Sequence, residues 1–155
     1  PSSILGGSTI IIDCCFSLLY NTRMKRVFVN GTFDILHPGH VHLLGYAKNL
    51  GDHLCVAIDT DRRVRELKGE GRPFFNQTDR RFMLQSLAVV DTVVLFDSDN
   101  ELEDIIREYE PDIMVKGSDY VGRPIVDEEL VPHIEFFKRI DEYSTTKVLQ
   151  RSFNR

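Results

Sequence analysis

The chain has 155 residues, 42% of them hydrophobic and 28% charged, which are values of one globular domain with a core of its own. Nineteen Lys and Arg stand against 24 Asp and Glu, a formal net charge of -5, so there is no basic field to recruit nucleic acid or an anionic membrane. The three cysteines, Cys14, Cys15 and Cys55, make neither a metal-ligand spacing nor a disulfide framework, and a reducing cytoplasm is the expected compartment.

The chain opens on Pro1, whereas Met24-Lys25-Arg26 leads straight into an apolar run. Residues 1–23 are therefore expected to be a leader outside the native fold, and residues 24–155 one domain. The stretch Ile10 to Tyr20 is too short to span a membrane, is broken by Asp13, and has no basic region ahead of it.

From Met24 onward, strand and helix patterns alternate. Val27-Phe28-Val29 reads as a buried strand ending near Asn30, where Gly31 permits a tight turn. Pro38 is pre-organised for a first helical position, so a helix is expected from Pro38 to Leu50, stopped by Gly51. The free N–H groups of Gly39, His40 and Val41 are then expected to face the mouth of the turn, where an anion is welcome beside His37 and His40. Leu54 to Ile58 reads as a second strand, Arg62 to Leu67 as a polar helix, and Lys68 to Pro73 as a glycine-punctuated basic loop. Thr78 or Asp79 is the expected cap of the next helix, which carries Phe82, Met83, Leu84 and Leu87.

Val90 to Phe96 is the third expected strand, Asn100 to Tyr109 an acidic amphipathic helix, and Ile113 to Val115 the fourth strand. A helix is expected around Glu128 to Val131, a fifth strand at Ile134 to Phe137, and a terminal helix opening at Ser144-Thr145-Thr146. This alternation implies an α/β protein, a Rossmann-like three-layer α/β/α arrangement with a five-stranded parallel sheet. Ligands of such sheets lie outside the carboxyl ends of the strands. Asn30 to His40, Asp59 to Asp61, Lys116 to Tyr120 and Arg139 to Thr146 all fall at such ends.

Gly31-Thr32-Phe33-Asp34 followed by His37-Pro38-Gly39-His40 resembles the signature of the small nucleotidylyltransferases. These join a nucleoside monophosphate to a phosphorylated small molecule and release pyrophosphate. Ser144-Thr145-Thr146 is similar to the family's second signature, Ile-Ser-Thr-Thr, with Tyr143 in place of isoleucine. The resemblance implies that His37, His40 and Lys68 are catalytic. It also implies that Asn30, Gly31, Thr32, Phe33, Gly39, Arg72, Arg80, Lys116, Gly117, Asp119, Arg139, Ser144, Thr145 and Thr146 bind nucleotide or phosphate. Lys68 and Arg72 are expected to form a mobile cationic lid, Asp34 to brace the turn, and Asp61 to lie near the nucleotide. No carboxylate cluster makes a protein metal cage, and the resemblance implies magnesium carried in with the triphosphate.

Three features look like the adenylyltransferase domain of ADP-heptose synthases: Asn30-Gly31, the Lys68 to Pro73 loop, and Val115 to Tyr120. Arg139, five residues before Ser144, looks instead like glycerol-3-phosphate cytidylyltransferases, and Glu142 departs from both patterns. The expected partners are accordingly ATP and a heptose 1-phosphate, with CTP and a polyol phosphate as the alternative. A non-catalytic nucleotide sensor is the alternative of another class. The resemblance also admits a homodimer.

Overall fold

The computed structural model describes residues 23–126, 128–140 and 142–153, so the expected leader lies outside the described residues except for Arg23. Five parallel strands, β1 (Arg26–Gly31), β2 (His53–Asp59), β3 (Thr92–Phe96), β4 (Ile113–Gly117) and β5 (His133–Phe137), lie in the order β3-β2-β1-β4-β5. The intervening helices are α1 (Pro38–Asn49), α2 (Asp61–Lys68), α3 (Gln77–Gln85) and α4 (Asp99–Tyr109), and α5 (Thr145–Phe153) closes the chain. The expected Rossmann-like α/β architecture is the one observed.

Alternation along the strands divides the core into two layers. Val27 and Val29 of β1, with Leu54, Val56 and Ile58 of β2, pack on Leu44 and Ala47 of α1 and Leu84 of α3. Phe28, Cys55, Ala57 and Met114 face the other way, onto Leu102 and Ile106 of α4. A side chain on Gly51 would come within 2.7 Å of the Lys25 carbonyl oxygen, so only glycine lets the turn after α1 lie against the start of β1.

Strand order reverses at β1. The chain moves from β1 outward through β2 to β3, then returns to place β4 on the other flank of β1, with Val27, Phe28 and Val29 opposite Ile113, Met114 and Val115. Helices cover opposite faces on the two sides of this reversal, so a crevice opens where β1 and β4 end.

Three local expectations change. Asn76, not Thr78 or Asp79, caps α3, its side chain accepting from the Asp79 amide at 2.9 Å. Residues Glu128–Leu130 make one 3-10 turn rather than a helix. Strand β3 begins at Thr92, because the Asp91 carboxylate turns back to accept from the Leu54 amide and Lys48 Nζ.

The largest change concerns Arg80, read from the sequence as a phosphate ligand. It is wholly buried. Its guanidinium donates to the carbonyls of Phe75 (3.0 Å), Thr32 (2.7 Å) and Asp59 (2.9 Å) and to Asp61 Oδ1 (2.8 Å). Four of its five N–H donors thus tie α3 to the ends of β1 and β2, and Asp61 is part of that knot. Removing one partner of a buried charge pair strands the other. Arg80→Met should lower the unfolding free energy by about 3–5 kcal/mol in urea titration; a loss under about 1 kcal/mol would contradict this structural role.

Candidate active site

A crevice of about 580 Å³ lies at the carboxyl ends of β1 and β4. Of the residues singled out in the sequence, Asn30, Gly31, Thr32, Phe33, His37, Gly39, His40, Lys68, Arg72, Gly117, Asp119, Arg139, Ser144, Thr145 and Thr146 line it. Arg80 and Lys116 do not. Lys116 is buried behind the wall and donates to Asn30 Oδ1 at 2.5 Å, so its ammonium is committed to protein.

The turn between β1 and α1 holds two residues, Phe33 (φ 49°) and Ile35 (φ 54°), in the left-handed region, which side chains disfavour. Between them Asp34 is 2% exposed. Its carboxylate accepts from Arg72 Nε at 2.8 Å, the Phe74 amide at 2.8 Å and the Phe75 amide at 3.0 Å. Burial works to raise the Asp34 pKa, but these donors overcome it and hold the group below the usual carboxylate range. The lid expected at Lys68 to Pro73 is therefore fastened at its Arg72 end. Lys68, the last residue of α2, reaches the crevice from the other end of the segment.

The histidine rings stack, 3.7 Å between centroids and 18° between planes, with Phe33 against His40 and Tyr143 nearly parallel to His37. A side chain on Gly39 would meet the His37 ring at 3.0 Å and the Tyr143 Cβ at 3.1 Å, so the glycine lets this column close. Both Nδ1 atoms are buried without a side-chain partner among the described residues. A proton on His40 Nδ1 would be a donor with nothing to receive it, which assigns His40 the neutral tautomer with its N–H on Nε2. Burial, followed by the charges of His37, Lys68 and Arg139, pushes the His40 pKa down to about 3. Burial and Arg139 lower that of His37 as well. Both rings are neutral at pH 7, each with one hydrogen to donate.

The backbone contributes less than expected. The His40 and Val41 amides already donate to the His37 carbonyl, at 2.9 and 3.3 Å, which leaves the Gly39 amide as the unused donor of that turn among the described residues. At the start of α5 the three hydroxyls divide their work. Ser144 Oγ accepts from the Lys147 amide at 3.1 Å and keeps its own hydrogen, while Thr145 gives its hydrogen to the Asp34 carbonyl at 2.8 Å. Thr32 likewise donates to Asp59 at 3.1 Å. Thr146 has no protein partner among the described residues.

Arg139, whose charge acts on both histidines, lies 3.9 Å from Asp119, and its amide donates to Ser118 Oγ at 3.1 Å. Tyr120, Tyr143, Leu43, Phe137 and Ile140 also line the crevice, and sequence reasoning assigned them no role. For Tyr120 and Tyr143 a signal existed, since each lies within a polar cluster already singled out, Lys116 to Tyr120 and Arg139 to Thr146. Among the described residues, no group of three His, Cys, Asp or Glu is placed to hold a metal ion, and no helix is long and apolar enough to cross a membrane.

A family model described as cytidylyltransferase-like matches residues 28–151. The bifunctional protein HldE of Campylobacter fetus subsp. fetus is 46% identical over 125 residues, 81% of this chain and 27% of that protein. HldE of a Helicobacter pylori strain is 40% identical over 133 residues, 86% and 28% of the two chains. The chain thus spans about a quarter of the length of the curated relatives it matches. The crystal structure of the lipopolysaccharide core biosynthesis protein from Thermoplasma volcanium matches with a TM-score of 0.64 and 31% identity, covering 77% of this chain and all of that one. A bifunctional NMN adenylyltransferase/ADP ribose pyrophosphatase from Francisella tularensis shares the fold at a TM-score of 0.60 and 20% identity, over 85% of this chain and 42% of that one. By the extent of the family match and the motifs that line its crevice, the chain belongs to the cytidylyltransferase-like family of nucleotidyltransferases.

Proposed function

We propose that the chain transfers AMP from ATP to D-glycero-β-D-manno-heptose 1-phosphate, giving ADP-heptose and pyrophosphate. The observation that carries this reading is the meeting of two helix starts, those of α1 and α5, in one crevice that also holds Lys68 and Arg139. The adenylyl and heptose assignments rest on Asn30-Gly31, the Lys68 to Pro73 segment and Val115 to Tyr120, which resemble ADP-heptose synthases. The Thermoplasma relative, named for lipopolysaccharide core biosynthesis, supports the same acceptor class. Arg139 in the crevice wall favours a second reading, CTP with a polyol phosphate.

In this reaction an oxygen of the acceptor phosphate attacks the α-phosphorus of the nucleotide. The new P–O bond forms as the bond to the β-phosphate breaks, and the electron pair leaves with pyrophosphate. Two anions must meet, so the protein's task is to position them and to stabilise charge. Neutral His37 and His40 each donate a ring N–H to phosphoryl oxygens, and the Gly39 amide adds a third donor. Ser144 and Thr146, at the start of α5 beside that turn, donate to the β- and γ-phosphates, and Lys68 and Arg139 supply positive charge. Asp34 is buried and already accepts from Arg72 and two amides, which leaves it poorly placed to ligate a metal. Magnesium would be held mainly by the triphosphate, where it would offset phosphate charge.

The test is a pyrophosphate-release assay crossing ATP and CTP with heptose 1-phosphate and glycerol 3-phosphate. Release is expected with ATP and the heptose phosphate; release only with CTP would transfer the assignment to the second reading, and none with any pair would sink both. His40→Ala should cut turnover about a hundredfold or more with the fold intact. The resting charge state has its own consequence. His40 ionises near 6.5 when unfolded but near 3 when folded, so below pH 6.5 the unfolded chain binds more protons and stability falls as pH falls. Chemical denaturation of His40→Gln between pH 6.5 and 4.5 should give a shallower loss than the wild type; identical slopes would contradict a buried neutral His40.

A further inference from the structure

Lys116 stands at the carboxyl end of β4, beside the end of β1, and is 8% exposed. Burying an ammonium is costly unless it finds partners. Its Nζ donates to Asn30 Oδ1 at 2.5 Å and lies 5.1 Å from the centre of the Tyr120 ring. Burial lowers its pKa to about 8, against the opposing pull of Asp59 at the end of β2. An ammonium has donors only, so the Asn30 atom facing it is the amide oxygen. The amide nitrogen is thereby turned away from Lys116. Asn30 lines the crevice, and among the described residues nothing accepts from its Nδ2.

We infer that Lys116 is a positioning residue: it holds the Asn30 amide with its NH2 toward the crevice, so that Asn30 donates to an oxygen of a bound substrate. The inference rests on the nucleotidyl-transfer reading above and adds a donor at the end of the central strand. Without Lys116 the amide is free to rotate, and half its orientations would offer an oxygen to an oxygen. The substrate oxygen belongs either to the nucleotide or to the acceptor, and the two Michaelis constants separate them.

The experiment compares wild type, Asn30→Ala, Lys116→Met and the double variant, with kcat, both KM values and melting temperature for each. Each single substitution should lower kcat/KM about tenfold, the worth of one oriented hydrogen bond. The double variant should be no worse than the poorer single, because both remove the same donor. The KM that rises identifies the substrate carrying the oxygen. Multiplying losses would overturn the proposal, since Lys116 would then act on substrate directly; so would Lys116→Met within twofold of wild type.

Asn30→Asp keeps the partner of Lys116 but presents an oxygen to the crevice. It should lose at least as much activity as Asn30→Ala with an unchanged melting temperature, a loss that a merely structural pair would not produce. Wild-type activity in Asn30→Asp would refute the donor role, and this arm decides if Lys116→Met fails to fold. An activity-independent readout is the side-chain NH2 signal of Asn30 in NMR, which should titrate with a midpoint near 8 in the wild type and not in Lys116→Met. A stationary wild-type signal would overturn the pairing. Absence of pyrophosphate release by the wild type with every substrate pair would instead overturn the functional reading and leave this signal to decide the positioning.

Discussion

The buried carboxylate of Asp34 is the constraint on which the crevice depends. Its side chain gathers Arg72, Phe74 and Phe75, and its carbonyl receives Thr145 from the far end of the chain. Two segments, 38 to 41 and 111 residues further along the chain, are thereby brought to one turn. That turn carries two side chains in the left-handed region. A strained turn persists only when its surroundings over-determine it, and the bonds to Asp34 are what do so here. The stacked histidines, the fastened basic segment and the start of α5 all take their positions from this point.

Positive charge in and around the crevice is sorted by what already neutralises it. Arg80 is consumed by three carbonyls and Asp61, Arg72 by Asp34, and Lys116 by an amide oxygen and an aromatic face. Lys68 and Arg139 remain the groups of that set most available to an incoming anion; the nearest acid to Arg139, Asp119, is 3.9 Å away at an exposed position where such a pair contributes little. The histidines add direction rather than charge. Held neutral by burial and by neighbouring cations, they present single hydrogens from a stacked pair that cannot turn freely. Donors fixed before the anions arrive need no reorganisation when charge develops.

The sheet was legible because its central strands are buried on both faces and read as continuous apolar runs, Val27 to Val29 and Leu54 to Ile58 among them. The turn after β1 was legible because Pro38 is fixed for a first helical position, while Gly39 leaves room for the His37 ring beside it. Arg80 was not, since an arginine that binds phosphate and one that binds carbonyls look alike in sequence; only the convergence of Thr32, Asp59 and Phe75 on one point tells them apart. Nor does residue type foretell that the Lys116 ammonium meets Asn30 Oδ1 behind the crevice wall. The α1 amides were overcounted because local closure onto the His37 carbonyl leaves no mark in residue type. The brief turn at Glu128 to Leu130 has too few residues to show a period.

Asp34 thus assembles the crevice rather than merely stabilising a loop. This role is tested most directly by calorimetric titration of Asp34→Asn with ATP and with CTP, on samples shown to melt cooperatively. The better-bound nucleotide should lose at least about tenfold in affinity, as the amide can no longer hold Arg72 and both backbone N–H groups at once. Wild-type affinity in a folded Asp34→Asn protein would contradict it.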